Sequence, residues 1–295
     1  MKILKSLLVA APNDSTSAVT TVVAVQQVRR MRGGSQAHLM RCSDKNFYVV
    51  KFQNNRQHLR VLANEMLAAL LARLAGLPVP EPVLVEVSEF LVQHTPELNI
   101  RLLNGTVPCQ FGLQFGSRYA VSPLEGQVFD DLPVAVLARV RNLEAFAGIL
   151  AMDKWTCNSD DRQVAFWRMM RQRNYAAAFI DQGYCFNGGE WNFPDSPLKG
   201  VHAQNEVYAS VLGWNSFEPW LSRIEDMGRE VILAAAEEIP PAWYKGDSCA
   251  LDRLVQALLE RRSKIRSLLM TFRSCSRNPF PNWGERVEPQ SANFG

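Results

Sequence analysis

Residues 32–52 read RGGSQAHLMRCSDKNFYVVKF. Two runs rich in β-branched, aromatic and other apolar residues, Gln36–Cys42 and Phe47–Gln53, flank the turn residues Ser43-Asp44-Lys45-Asn46. Upstream, the apolar and β-branched run Val19–Val28 leads into Arg29–Gly34, which carries charge and the paired glycines Gly33 and Gly34. The spacing predicts strand, glycine turn, strand, tight turn, strand, all antiparallel. Working outward, Leu59–Leu74 places Leu62, Met66, Leu70 and Leu74 at helical spacing, with Gly76 as a C-terminal cap and Pro78 and Pro80 beyond it. Val83–Val92 reads as a further strand, and Thr95–Val107 as a polar, irregular insertion or loop.

From Leu132 the pattern turns helical. Leu143–Trp155 is an apolar helix that runs into the polar loop Thr156–Gln163. Short strands are predicted at Val164–Arg168 and Tyr175–Ile180, a loop at Gly188–Gly200, and helices at Val201–Leu212, Glu225–Glu238 and Ala250–Phe272. Ser274–Gly295 reads as a surface tail. The expected class is therefore α+β and bilobal: a β-rich lobe over residues 1–120 and a mainly helical lobe over 121–295, with the tail from about 274.

Composition narrows the possibilities without choosing among them. The 295 residues are 47% hydrophobic and 21% charged, which is too apolar for disorder. No apolar run reaches the roughly 20 residues of a membrane span. In Met1–Ala11, Lys5 interrupts the apolar stretch and Pro12 ends it, unlike a signal peptide, so a cytoplasmic location is expected. The net charge of +3 is too small for a dedicated nucleic-acid binder. The six cysteines are scattered, and His38 and Cys42 lack the further ligands of a closed metal site, so packed, reduced thiols are expected.

Several residues could carry chemistry. Gly33, Gly34 and Ser35 form a turn whose backbone N–H groups can approach an anion, although a bare hairpin turn has the same composition. Lys51 lies in a strand, either on a solvent face or reaching into a cleft, and needs an anionic partner to hold its ammonium group. Glu65 borders the apolar stripe of the following helix and could supply that partner. Asp153 and Asn158, five residues apart at a helix end, could offer a carboxylate for a hydroxyl proton and an amide for Mg²⁺, or could belong to an ordinary turn. Asp181 ends a strand ahead of Gln182-Gly183 and could hold a metal or simply make a turn. Taken in order, the set matches the division of labour in phosphoryl transfer.

In these motifs the chain resembles the protein-kinase-like fold and, within it, the HipA-like kinases, in their small stand-alone bacterial branch. The resemblance spans about residues 20–272 and rests on Gly34-Ser35-Gln36, Tyr48-Val49-Val50-Lys51-Phe52, Asp153–Asn158 and Ile180-Asp181-Gln182-Gly183. It implies an ATP-dependent, Mg²⁺-dependent Ser/Thr protein kinase. Gly33, Gly34 and Ser35 would cover the ATP phosphates, Lys51 would contact them while paired with Glu65, Asp153 would be catalytic, and Asn158 and Asp181 would hold Mg²⁺. A phosphate on Ser35 would compete with ATP, making it a candidate for self-modification. The best-known members are toxins with a DNA-binding antitoxin partner, which nothing in this chain encodes. Departures from the wider kinase pattern are the absence of a histidine before Asp153, Lys154 directly after it, and Gln182 where many protein kinases have phenylalanine. The alternatives are a small-molecule kinase and a catalytically silent nucleotide-binding module. Trp191–Asp195 falls where a substrate segment would lie, and His202 reads as a core or surface histidine rather than a base.

Overall fold

The structure is a computed structural model that describes residues 19–284. The reading of Met1–Ala11 and the last part of the tail fall outside those residues. Five strands, β1 (Thr21–Arg30), β2 (His38–Cys42), β3 (Phe47–Lys51), β7 (Gly112–Arg118) and β4 (Pro82–Val87), close into a barrel in that order. The neighbours are antiparallel except at the seam, where β1 runs parallel to β4 with Thr21 opposite Leu84. Alternation fills the interior with Val22, Met40, Cys42, Tyr48, Val50, Val83 and Val85. Two register shifts in β1 let it bend around the barrel. Arg29 and Arg30, expected in the glycine turn, extend β1 instead.

Two local expectations in this lobe are corrected. The predicted strand Val83–Val92 stops at Val87 because the Ser88 hydroxyl accepts from Leu91 N and starts the short helix α2 (Glu89–Gln93). The predicted loop Thr95–Val107 holds a hairpin, β5 (Asn99–Leu102) with β6 (Gly105–Pro108).

Helix α1 (Val61–Leu74) crosses between the barrel and the helical part, so it is buried almost all round rather than on one stripe. Its side chains join a single apolar core that continues into α3 (Ala145–Trp155), every residue of which is buried. Beside α3 lies a three-stranded antiparallel sheet of β8 (Gly126–Phe129), β9 (Gln163–Met169) and β10 (Ala176–Ile180), in the order β10-β9-β8.

The remaining helices are shorter than the sequence pattern suggests. Val201–Leu212 has inward-facing Val201, Val207, Tyr208 and Val211, but it makes only one tight turn at Asn205–Tyr208. Its first backbone groups are committed elsewhere: Arg162 N donates to Val201 O, and His202 N donates to the Tyr208 hydroxyl. The helix expected over Glu225–Glu238 is α5 (Arg229–Glu237), preceded by a separate short helix α4 (Trp220–Glu225), and Ala250–Phe272 divides at Arg262–Lys264 into α6 (Ser248–Arg261) and α7 (Ile265–Arg273). The described part of the tail is tied down, with Phe280 packed edge-on to Tyr208, Phe217 and Phe272.

All six cysteines are free thiols, and burial pushes Cys42, Cys109 and Cys185 up to about 12. Among the described residues no helix is long and apolar enough to cross a membrane.

Candidate active site

Lys51 is the last residue of β3 and is only 7% exposed. Its Nζ donates to Glu65 Oε1 on α1 and, at 2.8 Å, to Asp181 Oδ1 just after β10. The second Glu65 oxygen accepts from Gln182 N at 3.1 Å, so α1 is joined to the segment that follows Asp181. A Cβ at Gly183 would lie 2.7 Å from Val61 Cγ2, which is why glycine stands where this segment passes α1. Burial opposes the charge on Lys51, yet Asp181 and Glu65 outweigh it and raise its pKa. Burial also works against ionisation of Asp181, but Lys51 overrides it and holds the carboxyl below its ordinary value. Glu65 goes the other way, raised by burial while Lys51 pulls it back.

Asn64, one residue before Glu65, makes the same connection with its side chain. Its amide Nδ2 lies 2.8–2.9 Å from the carbonyls of Gly183, Cys185 and Gly188, and its Oδ1 accepts from Trp191 Nε1 at 2.7 Å. This fully buried side chain fastens α1 to residues 183–191.

These groups stand at the back of a cavity of about 720 Å³ between the barrel and the helical part. Gly33 and Ser35 overhang it, and Val49, Phe115, Val128 and Ile180 give it apolar walls. Gly33 has φ +114°, a conformation that glycine adopts without strain. Gly34 does not line the cavity. At the other end, antiparallel pairing brings the C-termini of β8 and β10 to the same sheet edge as the N-terminus of β9. Asp181, Asp161 and the pair Asp130 and Asp131 therefore lie along one edge, and all four line the cavity.

Asp153 and Asn158 are elsewhere. Asp153 is 2% exposed and does not line the cavity. Arg162 takes both of its oxygens, with Nε donating to Oδ2 at 2.8 Å and the second bond running from Nη2 to Oδ1. Arg162 also donates to Ile180 O at 2.8 Å. The Asn158 amide donates to Asp153 Oδ1 at 3.1 Å, and its Oδ1 accepts from Asp160 N at 3.2 Å. In this arrangement the two residues brace the loop beneath the cavity, and neither offers a free atom to it. The expectation that they share a cleft with Asp181 is corrected on this point.

A family model described as HipA-like kinase matches residues 22–264. The chain belongs to the HipA-like kinase family. This HipA-like kinase also shares its fold with the Helicobacter pylori proinflammatory kinase CtkA, at a TM-score of 0.51 and 12% identity, covering 84% of this chain and 98% of that one. Two other solved structures overlap it less closely. A Golgi casein kinase gives a TM-score of 0.49 at 11% identity, over 88% of this chain and 74% of that one. HipA of Shewanella oneidensis MR-1, solved with HipB and operator DNA, gives 0.49 at 12%, over 85% and 68%. No curated protein sequence matched.

For this HipA-like kinase, sequence reasoning missed Asp161, Arg162 and Asn64. Asp160-Asp161-Arg162 was visible as a charged triplet ahead of a strand, but nothing local signals that Arg162 folds back onto Asp153. Among the described residues no three His, Cys, Asp or Glu side chains are placed to hold a metal alone. Mg²⁺ ordinarily takes one or two protein carboxylates and completes its shell with phosphates and water. Asp181, with one oxygen on Lys51 and a side chain 19% exposed, fits that requirement.

Proposed function

We propose that this HipA-like kinase transfers the γ-phosphoryl group of Mg-ATP to a serine or threonine hydroxyl of a protein. The observation that carries this reading is the buried Lys51–Glu65–Asp181 cluster at the back of a nucleotide-sized cavity under the glycine turn. The apolar walls would take the adenine. Gly33 and Ser35, more than Gly34, would cover the phosphates, with Lys51 contacting them. Lys51 is held for that task by Glu65, and Asp181 is the group that would hold Mg²⁺, which when bound offsets phosphate charge.

The acceptor proton is assigned to the exposed pair Asp160 and Asp161, of which Asp161 lines the cavity. Asp153 and Asn158 are assigned the bracing of that loop through Arg162. Ser35, buried at the rim of the cavity, is kept as the self-modification site. Residues 1–120 and 121–295 are taken as the two lobes, since β7 ends at Arg118. Six free thiols agree with a reducing, cytoplasmic setting. The HipB partner belongs to the Shewanella protein and is not carried over.

The test is intact-mass analysis after incubation with Mg²⁺ and ATP, alone and with a mixture of Ser/Thr peptides. Phosphate on the protein or a peptide is expected, with loss in Lys51→Met, Asp181→Asn and Asp161→Asn. Phosphate appearing on an added small alcohol and on no protein or peptide would replace this reading with a small-molecule kinase. ATP binding without transfer would make the protein a silent nucleotide-binding module.

A further inference from the structure

Gln36 closes the glycine turn but does not line the cavity that Gly33 and Ser35 overhang. Its backbone N donates to Gly33 O at 3.3 Å, and beneath it Met31 N donates to Ala37 O at 2.7 Å. Its φ of +51° lies in the left-handed region, which a residue with a Cβ occupies only under constraint. Packing does not supply that constraint on the outer half of the turn, where a Cβ on Gly33 or Gly34 would meet nothing within 4 Å.

The Gln36 side chain does. Its Oε1 accepts from Arg101 N at 2.8 Å and from Arg30 Nη1 at 3.1 Å, and its Nε2 donates to Arg101 O at 3.0 Å. The amide thus pairs with both backbone groups of one β5 residue, as a neighbouring strand would. Arg30 reinforces the join, with Nη2 donating to Asn99 O and Asn99 Oδ1, each at 2.7 Å. The β5 strand is a fixed anchor, because Leu98 and Ile100 are buried in the apolar core of the barrel. Gln36, Arg30, Asn99 and Arg101 all stand off the cavity lining, so the arrangement acts on the turn from behind.

We propose that Gln36 is a positioning residue for the transfer: by clamping the glycine turn to β5, it aims the backbone N–H groups of Gly33 and Ser35 at the phosphates of Mg-ATP. The proposal rests on the kinase reading above. Backbone donors act on a phosphoryl group only where they are aimed, and a misplacement of about 1 Å can cost a hundredfold in rate. The apolar walls assigned to the adenine, Phe115 and Ile180 among them, belong to β7 and β10, so the clamp bears on the phosphate end alone. It also gives the β5–β6 hairpin a task, as the support against which the turn is set.

The test compares the second-order rate constant for transfer from Mg-ATP, to protein or peptide, with inhibition by adenosine, which carries no phosphate. Gln36→Met removes the amide at nearly constant volume, and Gln36→Gly removes it while relieving the left-handed backbone. Each should lower the transfer constant about tenfold, the worth of one or two hydrogen bonds, and leave adenosine inhibition unchanged. The clamp can also be opened from its other side. Arg101→Pro removes the N–H that Gln36 accepts, whereas Arg101→Ala loses the same charge and keeps that N–H. The Pro variant should fall about fivefold or more below the Ala variant, which should stay within about twofold of the parent. Gln36→Gly level with the parent, or Arg101→Pro level with Arg101→Ala, overturns the clamp. A parallel weakening of adenosine inhibition overturns it too, since a general defect in the fold would have that effect. A parent that transfers no phosphate overturns the kinase reading itself. Transfer that no variant changes overturns only the role of Gln36.

Discussion

Lys51–Glu65–Asp181 and Asp153–Arg162 are built from the same kinds of side chain, yet they differ in charge balance and in access to the cavity. In the second cluster one carboxylate meets one guanidinium, and both side chains are 1% exposed. Its charges cancel and its remaining donor goes to a backbone carbonyl. In the first, two carboxylates share one ammonium, leaving a formal negative charge on the cavity side, where Asp181 is 19% exposed. That surplus is what a divalent cation carrying phosphates requires. Stoichiometry and access, rather than residue type, decide which acid can act.

The contrast can be broken most forcefully at Arg162. Arg162→Met leaves Asp153 charged, buried and unpaired, and the expected loss is about 3–5 kcal/mol in denaturant unfolding. Pairing it with Asp153→Leu should recover most of that loss, because two apolar groups need no counter-charge. An unchanged midpoint in the single variant would mean that the pair is not sealed.

Lys51→Met tests the open cluster. Phosphoryl transfer should fall by about a hundredfold or more, equivalent to roughly 3 kcal/mol. The melting temperature should drop less than for Arg162→Met, since Asp181 can reach solvent. Single-turnover rates and calorimetry would check the two halves of this expectation.

Lys154 extends the comparison to a buried cation without a carboxylate partner. Its Nζ donates to Lys199 O, and the ammonium lies 5.1 Å from the Phe272 ring centroid. Burial lowers its pKa from 10.5 to about 8, with Asp153 opposing the shift. The unfolded chain therefore holds this proton between those values while the folded protein releases it, so this group adds stability as pH rises through that window and loses it as pH falls. Relative to Lys154→Met, the parent should gain at most about 3 kcal/mol from pH 8 to 10.5, read from paired denaturation curves. A gap that is flat with pH would refute the shift.

The smallest effect is expected at the rim. A Cβ on Gly34 would meet nothing within 4 Å, so Gly34→Ala should change stability and nucleotide affinity by less than about 0.5 kcal/mol. Gly33→Ala, at φ +114°, should cost about 1 kcal/mol or more.

The same contrast shows what the sequence could and could not reveal. Lys51, Glu65 and Asp181 were legible because each sits beside an apolar strand or stripe, where an unpaired charge would be costly and a partner is implied. The α+β order of elements was legible for the same periodic reasons. Asp153 was misplaced because its neighbours suit a turn facing a cleft equally well, and its partner is a long-range packing fact nine residues away. The helix expected over Val201–Leu212 failed because apolar spacing records which residues point inward, not whether their backbones are free to bond to one another. The parallel β1–β4 seam left no local trace at all.

Asn64 holds three carbonyls of the segment after Asp181 and is itself held by Trp191. The conformational entropy lost in ordering that segment is therefore surrendered as the chain folds rather than as a nucleotide arrives. Nucleotide binding then meets a surface already set, and its thermodynamic signature should be that of rigid docking, with a small heat-capacity change for the area it covers.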